Sequence, residues 1–216
     1  MIKTRTIIFL LLPAIILSAF GLLVAIIQYQ PQRINPAKNS DKKMEKVLYF
    51  AEDTILGSKA APKTIIAFED IGCGRCQEQL ELFDELLAKH AGQIKIILKT
   101  IDATRFPVSS AEAHKYLFCA GEQNKLQEFK KEILISKQLD KNSLQNASLA
   151  ADLTQETLAA CLSSQKTADY VEKNNQLAQS LGIEFLPTIF INDKIIQEPL
   201  TLAGWESLLN LNTQNY

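Results

Sequence analysis

The stretch Thr64-Ile65-Ile66-Ala67-Phe68-Glu69-Asp70-Ile71-Gly72-Cys73-Gly74-Arg75-Cys76 decides how this chain is read. Residues 64–68 are apolar and β-rich, the composition of a buried strand. Residues 77–91 carry Leu80, Phe83, Leu86 and Leu87 at helical spacing and stop before Gly92. Two cysteines spaced Cys-x-x-Cys where a strand hands over to a helix predict a redox-active pair. A helix N-terminus presents unpaired backbone N–H groups and the positive end of the helix dipole, and both favour a thiolate. Cys73 is therefore predicted to be the attacking sulfur, with Cys76 one turn in and less exposed. Arg75 is expected to lower the Cys73 pKa further, with Glu69 and Asp70 opposing if they lie close.

Working outward, residues 94–98 form a second buried run, so the unit is strand–helix–strand with parallel pairing. From about residue 109 to residue 181 no strand pattern occurs. Residues 111–121, 126–135, 144–153 and 157–162 each fit a short amphipathic helix, and residues 167–181 a longer one ending at Gly182. Residues 188–191 and 194–196 read as a hairpin turning at Asn192 and Asp193, and residues 203–211 as a closing helix. The chain is thus an α/β domain interrupted by a helical insertion.

The chain has 216 residues, net charge −1 and 47% hydrophobic residues, room for one ordinary domain plus an anchor. Near-zero charge gives no support to nucleic-acid binding. Residues 7–27 form a run of 21 without a charge, preceded by Lys3 and Arg5. At 1.5 Å per residue such a helix spans about 30 Å, one bilayer core. A cleaved signal peptide is the competing reading, with small residues Ala19 and Gly21 at cleavage spacing; the run from Leu22 to Ile27 is long for a signal core. The expected layout is a membrane anchor at residues 1–27, a polar tether at 28–46 and a folded domain at 47–216. Lys and Arg counts on the two sides do not set the orientation, because Arg33, Lys38, Lys42 and Lys43 follow the run. Disulfide chemistry places the domain in an oxidising space outside the cytoplasm.

Two other readings of the tetrad stay open. Half of a zinc site would need a second close cysteine pair, whereas Cys119 and Cys161 stand 42 positions apart. A haem attachment site would need histidine after Cys76, where Gln77 stands. An inert structural bridge is the third possibility. His90 reads as a helix C-terminal residue and His114 as a helix-surface or packing residue.

Residues 55–62, the following strand, Asp70 and the Cys-x-x-Cys together resemble the opening of DsbA-like thioredoxin-fold proteins. Pro107 and residues 111–123 with Cys119 resemble the start of that family's helical insertion. Residues 182–192, with Leu186-Pro187-Thr188, look like its cis-proline segment. The resemblance covers roughly residues 50–211 and implies a thioredoxin-like fold with an all-helical subdomain inserted at about 105–165, preceded by one N-terminal transmembrane helix. It further implies a cis bond before Pro187, with Leu186 offering backbone hydrogen bonds to a substrate strand beside Cys73. Some relatives bridge positions comparable to Cys119 and Cys161; the alternative is two buried free thiols.

The sequence departs from the family in two places. Many relatives carry a buried acid where this chain has Ala67, and Glu69 is a candidate replacement if the strand runs on, since the two would then share a face. The dipeptide Gly74-Arg75 differs from the Pro-His pair of strong oxidases. The expected function is an extracytoplasmic thiol–disulfide oxidoreductase, an oxidase putting disulfides into reduced exported proteins and recharged by a membrane quinone-linked thiol oxidase. It would be a single-pass, monomeric protein of a bacterial inner membrane facing the periplasm or exterior, needing no cofactor or metal. The competing functions are a reductase or isomerase, for example in cytochrome maturation, and a membrane-tethered metal-binding chaperone.

Overall fold

The computed structural model describes residues 49–211, apart from Asp193 and Leu200, together with Ser18, Phe20 and Gly21. Contacts divide the chain into one unit at residues 1–39 and another at residues 40–216. In the first unit Ser18, Phe20 and Gly21 are helical and exposed. Most of the proposed anchor and all of the tether lie outside the described residues, and among those described no helix is long and apolar enough to cross a membrane.

The second unit is built on a five-stranded sheet with strand order β1-β3-β2-β4-β5. Strand β1 is Thr54–Gly57, β2 is Lys63–Glu69, β3 is Ile94–Thr100, β4 is Thr188–Ile191 and β5 is Lys194–Ile196. The helix α1, Gly74–Lys89, crosses from β2 to β3, which pair in parallel with Ile65 opposite Ile96. The other three pairings are antiparallel. Strand β1 is a finding that the apolar pattern did not announce: four residues are too short to show a period, and its partner is β3, some forty positions on. It ends at Gly57, where φ is +84° and a Cβ would meet the Ile94 carbonyl oxygen at 2.6 Å, so only glycine fits the turn.

Between β3 and β4 lie α2 (Ala111–Glu122), α3 (Leu126–Ser136), α4 (Lys141–Ala150), α5 (Gln155–Leu162) and α6 (Gln165–Ser180); α7 (Leu202–Leu208) closes the chain. Several helices are capped by their own sequence. Asp140 accepts from the N–H groups of Asn142 and Ser143, Ser164 from Thr167, and Thr201 from Gly204.

The alternation along β2 sorts the core. Ile65 and Ala67 face the large cluster formed with Leu80, Phe83 and Leu86 of α1, the insertion helices and Trp205 of α7. Ile66 and Phe68 face the opposite side with Ile97, Phe190 and Ala178 of α6. Phe83 meets Trp205 with ring centroids 5.3 Å apart, and Phe118 stacks on Tyr170 at 4.4 Å. Cys119 of α2 and Cys161 of α5 are joined by a disulfide, with Cα atoms 5.8 Å apart. One buried ion pair, Lys99 to Asp53 with N···O 2.5 Å, fastens β3 to the segment that leads into β1.

Candidate active site

Strand β2 runs on to Glu69, so Glu69 shares the face of Ala67 and Ile65 and points into the core side that α1 covers. The chain then turns through Asp70, Ile71 and Gly72. Asp70 accepts the Gly72 N–H through Oδ1 at 2.8 Å, and its carbonyl accepts the Cys73 N–H at 2.9 Å. Cys73 is the N-cap residue of α1, in extended conformation with no side-chain cap bond. The Gln77 side chain donates back to the Ile71 carbonyl at 2.7 Å and steadies the turn.

The two sulfurs occupy different surroundings. Cys73 is partly exposed, whereas Cys76 is fully buried, and both are reduced. The Cys73 Sγ lies 3.9 Å from the Leu186 carbonyl oxygen, within reach of an S–H donor. The Leu186–Pro187 bond is cis. The Cys76 Sγ accepts the Asp70 N–H at 3.4 Å.

The hydrogen bond from the Cys76 thiol, joined by the backbone N–H groups of Cys76 and Arg75, holds the Cys73 thiol down at about 6, against burial and the Asp70 charge. Cys76 moves the other way. As donor to Cys73, buried and near Glu69, it is held well above the ordinary thiol range. The pair is thus one thiolate and one thiol that keeps its proton.

Glu69 is buried, and neither carboxylate oxygen has a hydrogen-bond partner among the described residues. Burial pushes its carboxyl up to about 8; Lys130 opposes this, while Cys73 and Asp84 add to it. Lys130 comes from α3, is itself buried, and donates to Asp84 of α1.

Asp70 works in the opposite sense. Burial raises its pKa, but the His114 hydrogen bond and charge, with the N–H groups of Gly72 and Thr104, bring it below the usual carboxylate range. Its Oδ2 accepts from the N–H groups of Ala103 (2.9 Å) and Thr104, and from the Ser110 hydroxyl at 2.9 Å. His114 Nε2 lies 3.2 Å from Oδ1. His114 is therefore more than the surface or packing residue its position suggests. It is fully buried and joins the insertion to the turn before Cys73.

Arg75 differs from expectation. Its guanidinium pairs with Glu198 in the loop after β5, and its contribution to the lowered Cys73 pKa is its backbone N–H. Gly74 faces open space. Gly72 does not: a Cβ there would lie 2.7–2.9 Å from the Thr104 side chain, so glycine allows the 102–110 loop to approach the cysteine turn.

The structure thus gathers Cys73, Cys76, Gly74, Arg75, Leu186 and Pro187 at one place, and puts Cys119 and Cys161 into a bridge within the insertion. Sequence reasoning missed Lys130, Asp84, Ser110, Thr104 and Glu198. For Lys130 a signal was present, because it falls on the apolar face of α3 with Leu126, Phe129, Ile133 and Leu134. Among the described residues no group of three or more His, Cys, Asp or Glu is arranged to hold a metal ion.

The fold recurs in proteins of known structure. The catalytic domain of Proteus mirabilis ScsC superposes with a TM-score of 0.66 at 18% identity, covering 76% of this chain and 90% of that one. BdbD from Bacillus subtilis, in its oxidised form, gives 0.61 at 23% identity, covering 74% and 91%. The thiol-disulfide exchange protein alpha-DsbA2 from Wolbachia pipientis gives 0.65 at 18% identity, covering 74% and 87%. At these identities the likeness is one of fold. No curated protein matches the sequence. The family model described as Thioredoxin matches residues 51–210, the sheet, the cysteine turn and the insertion alike, and the chain belongs to that family.

Proposed function

We propose that this protein is an extracytoplasmic thiol–disulfide oxidoreductase that works as an oxidase, introducing disulfides into exported proteins through Cys73 and Cys76. One observation carries the reading. Cys73 is a stabilised, partly exposed thiolate next to the backbone of Leu186, and its partner Cys76 is a buried thiol that keeps its proton. A stabilised thiolate favours the reduced pair, which makes the corresponding disulfide an oxidant.

In the oxidised protein a substrate thiolate attacks the Cys73 sulfur, the Cys73–Cys76 bond breaks, and Cys76 leaves as a thiolate that takes up a proton. Glu69, an acid near neutrality that faces the pair, is placed to supply it. A second substrate thiolate then attacks the substrate sulfur of the mixed disulfide. The substrate leaves with a disulfide and Cys73 with the electron pair as thiolate. The substrate backbone lies along Leu186 as an added strand, which places its sulfur against Cys73.

The uncharged run at residues 7–27 supports a single-pass anchor in a bacterial inner membrane with the domain on the outer side. Recharging then falls to a membrane quinone-linked thiol oxidase, which takes the two electrons from the reduced pair. A reductase is the second reading. What favours it is the Cys73 value of about 6, nearer the roughly 7 of thioredoxin than the roughly 3.5 of the strongest oxidant.

The test is stoichiometric. Oxidised protein mixed with a reduced two-cysteine peptide should yield one peptide disulfide for each Cys73–Cys76 pair reduced, and Cys76→Ala offered the oxidised peptide should open its disulfide and hold it on Cys73 as a mixed disulfide. Failure to oxidise the peptide, with brisk reduction of insulin by the reduced protein, would make it a reductase.

A further inference from the structure

Arg75 stands between the two cysteines, the position from which a cation most easily reaches the Cys73 sulfur. A guanidinium beside a thiolate lowers its pKa and raises the oxidising power of the disulfide. The structure sends this group elsewhere. Arg75 Nη2 pairs with Glu198 Oε1 in the loop between β5 and α7, 123 positions along the chain. The glutamate side chain is only 11% exposed, whereas that of Arg75 is 64% exposed. The carboxylate is therefore the fixed partner and the guanidinium the movable one. The charge of Asp70 also acts on Cys73, and it disfavours the thiolate.

We infer that Glu198 is a positioning residue for the redox pair: it holds the Arg75 guanidinium off Cys73 and keeps the Cys73–Cys76 disulfide less oxidising than the tetrad alone would make it. The inference rests on the reading of Cys73 and Cys76 as a redox pair. Freed from Glu198, the exposed Arg75 side chain would turn to the Cys73 thiolate, two positions before it in the chain. The reduced form gains a charge interaction that the disulfide form lacks.

The experiment uses the full chain and four proteins: wild type, Glu198→Gln, Arg75→Gln and the double variant, each checked for its fold by circular dichroism. Two quantities are read, the Cys73 thiolate titration and the equilibrium constant with glutathione. Glu198→Gln should lower the titration midpoint and shift the equilibrium constant towards the reduced protein by up to about fivefold, the range an exposed ion pair supplies. In the Arg75→Gln background the same substitution should leave both readings unchanged. Wild-type values in Glu198→Gln overturn the inference, and so does an undiminished shift in the Arg75→Gln background, which would mean that Glu198 acts by its own charge. A wild-type protein with no reversible Cys73–Cys76 exchange would overturn the redox reading itself, so the two failures are distinguishable.

Discussion

The Sγ of Cys73 lies 3.9 Å from the carbonyl oxygen of Leu186, so the N-terminus of α1 and the segment before β4 meet at a sulfur. The two residues are 113 positions apart, with the whole helical insertion between them. In the proposed reaction a substrate strand would run along Leu186 and bring its own sulfur to Cys73.

Alkylation of reduced protein by iodoacetamide should follow the Cys73 thiolate, with a midpoint near pH 6. The main cause is the bond from Cys76, so Cys76→Ala should raise the midpoint towards the free-thiol value of about 8.5. The sign for stability follows. A thiol whose pKa is depressed by folding stabilises the reduced protein above its unfolded pKa, and that contribution is lost as pH falls through about 6. The stability advantage of reduced over oxidised protein should therefore shrink between pH 8.5 and pH 5, as read by urea unfolding of the two forms.

Glu69 gives a second pH signature of opposite sense. Unfolded glutamate titrates at about 4.3, whereas burial holds Glu69 at about 8 in the fold. The folded state keeps the extra proton between these values, so stability falls as pH rises across that window and levels off above it. Glu69→Gln should remove most of this slope and make the protein more stable at pH 9, by on the order of 5 kcal/mol. The same variant should slow resolution by Cys76, read as a longer-lived mixed disulfide. A wild-type slope retained in Glu69→Gln would assign the dependence to another group.

Much of this was legible in the sequence, and the reason differs from element to element. Strands β2 and β3 and the helix α1 announce themselves through local pattern, which a sequence displays directly, and the Leu186-Pro187-Thr188 segment through its resemblance to the DsbA-like cis-proline segment. Strand β1 does not, because Thr54–Gly57 is too short for a period and its evidence is the pairing with β3. Glu69 was visible only as a candidate, since its role depended on whether β2 continued one residue further. The partner of Arg75 was not legible at all: nothing local links residue 75 to residue 198, and the fold alone brings them together.

Gly72 is a steric prediction. Gly72→Ala puts a methyl group 2.7–2.9 Å from the Thr104 side chain, whose backbone N–H is held by Asp70. Overpacking of this kind costs about 1–3 kcal/mol. The variant should lose that stability in urea unfolding and show an altered Cys73 alkylation profile, because the displaced loop is tied to the cysteine turn. Wild-type behaviour in both assays would show that the loop gives way freely.

The Cys119–Cys161 bridge closes a loop of 42 positions between α2 and α5. Replacing both cysteines with alanine should destabilise the domain by roughly 3–4 kcal/mol on the chain-entropy account. The Cys73 titration midpoint should stay where it is, since neither residue is among the groups that set it.

The most direct measurement is the reduction potential of the Cys73–Cys76 pair in a glutathione series, on protein carrying the Cys119/Cys161 double alanine substitution so that one pair reports. A Cys73 thiolate stabilised to about 6, between the roughly 7 of thioredoxin and the roughly 3.5 of the strongest oxidant, predicts a potential less negative than thioredoxin's, on the way to the roughly −120 mV of a strong oxidant. A value near roughly −270 mV, the thioredoxin range, would contradict the oxidase and make the protein a reductase.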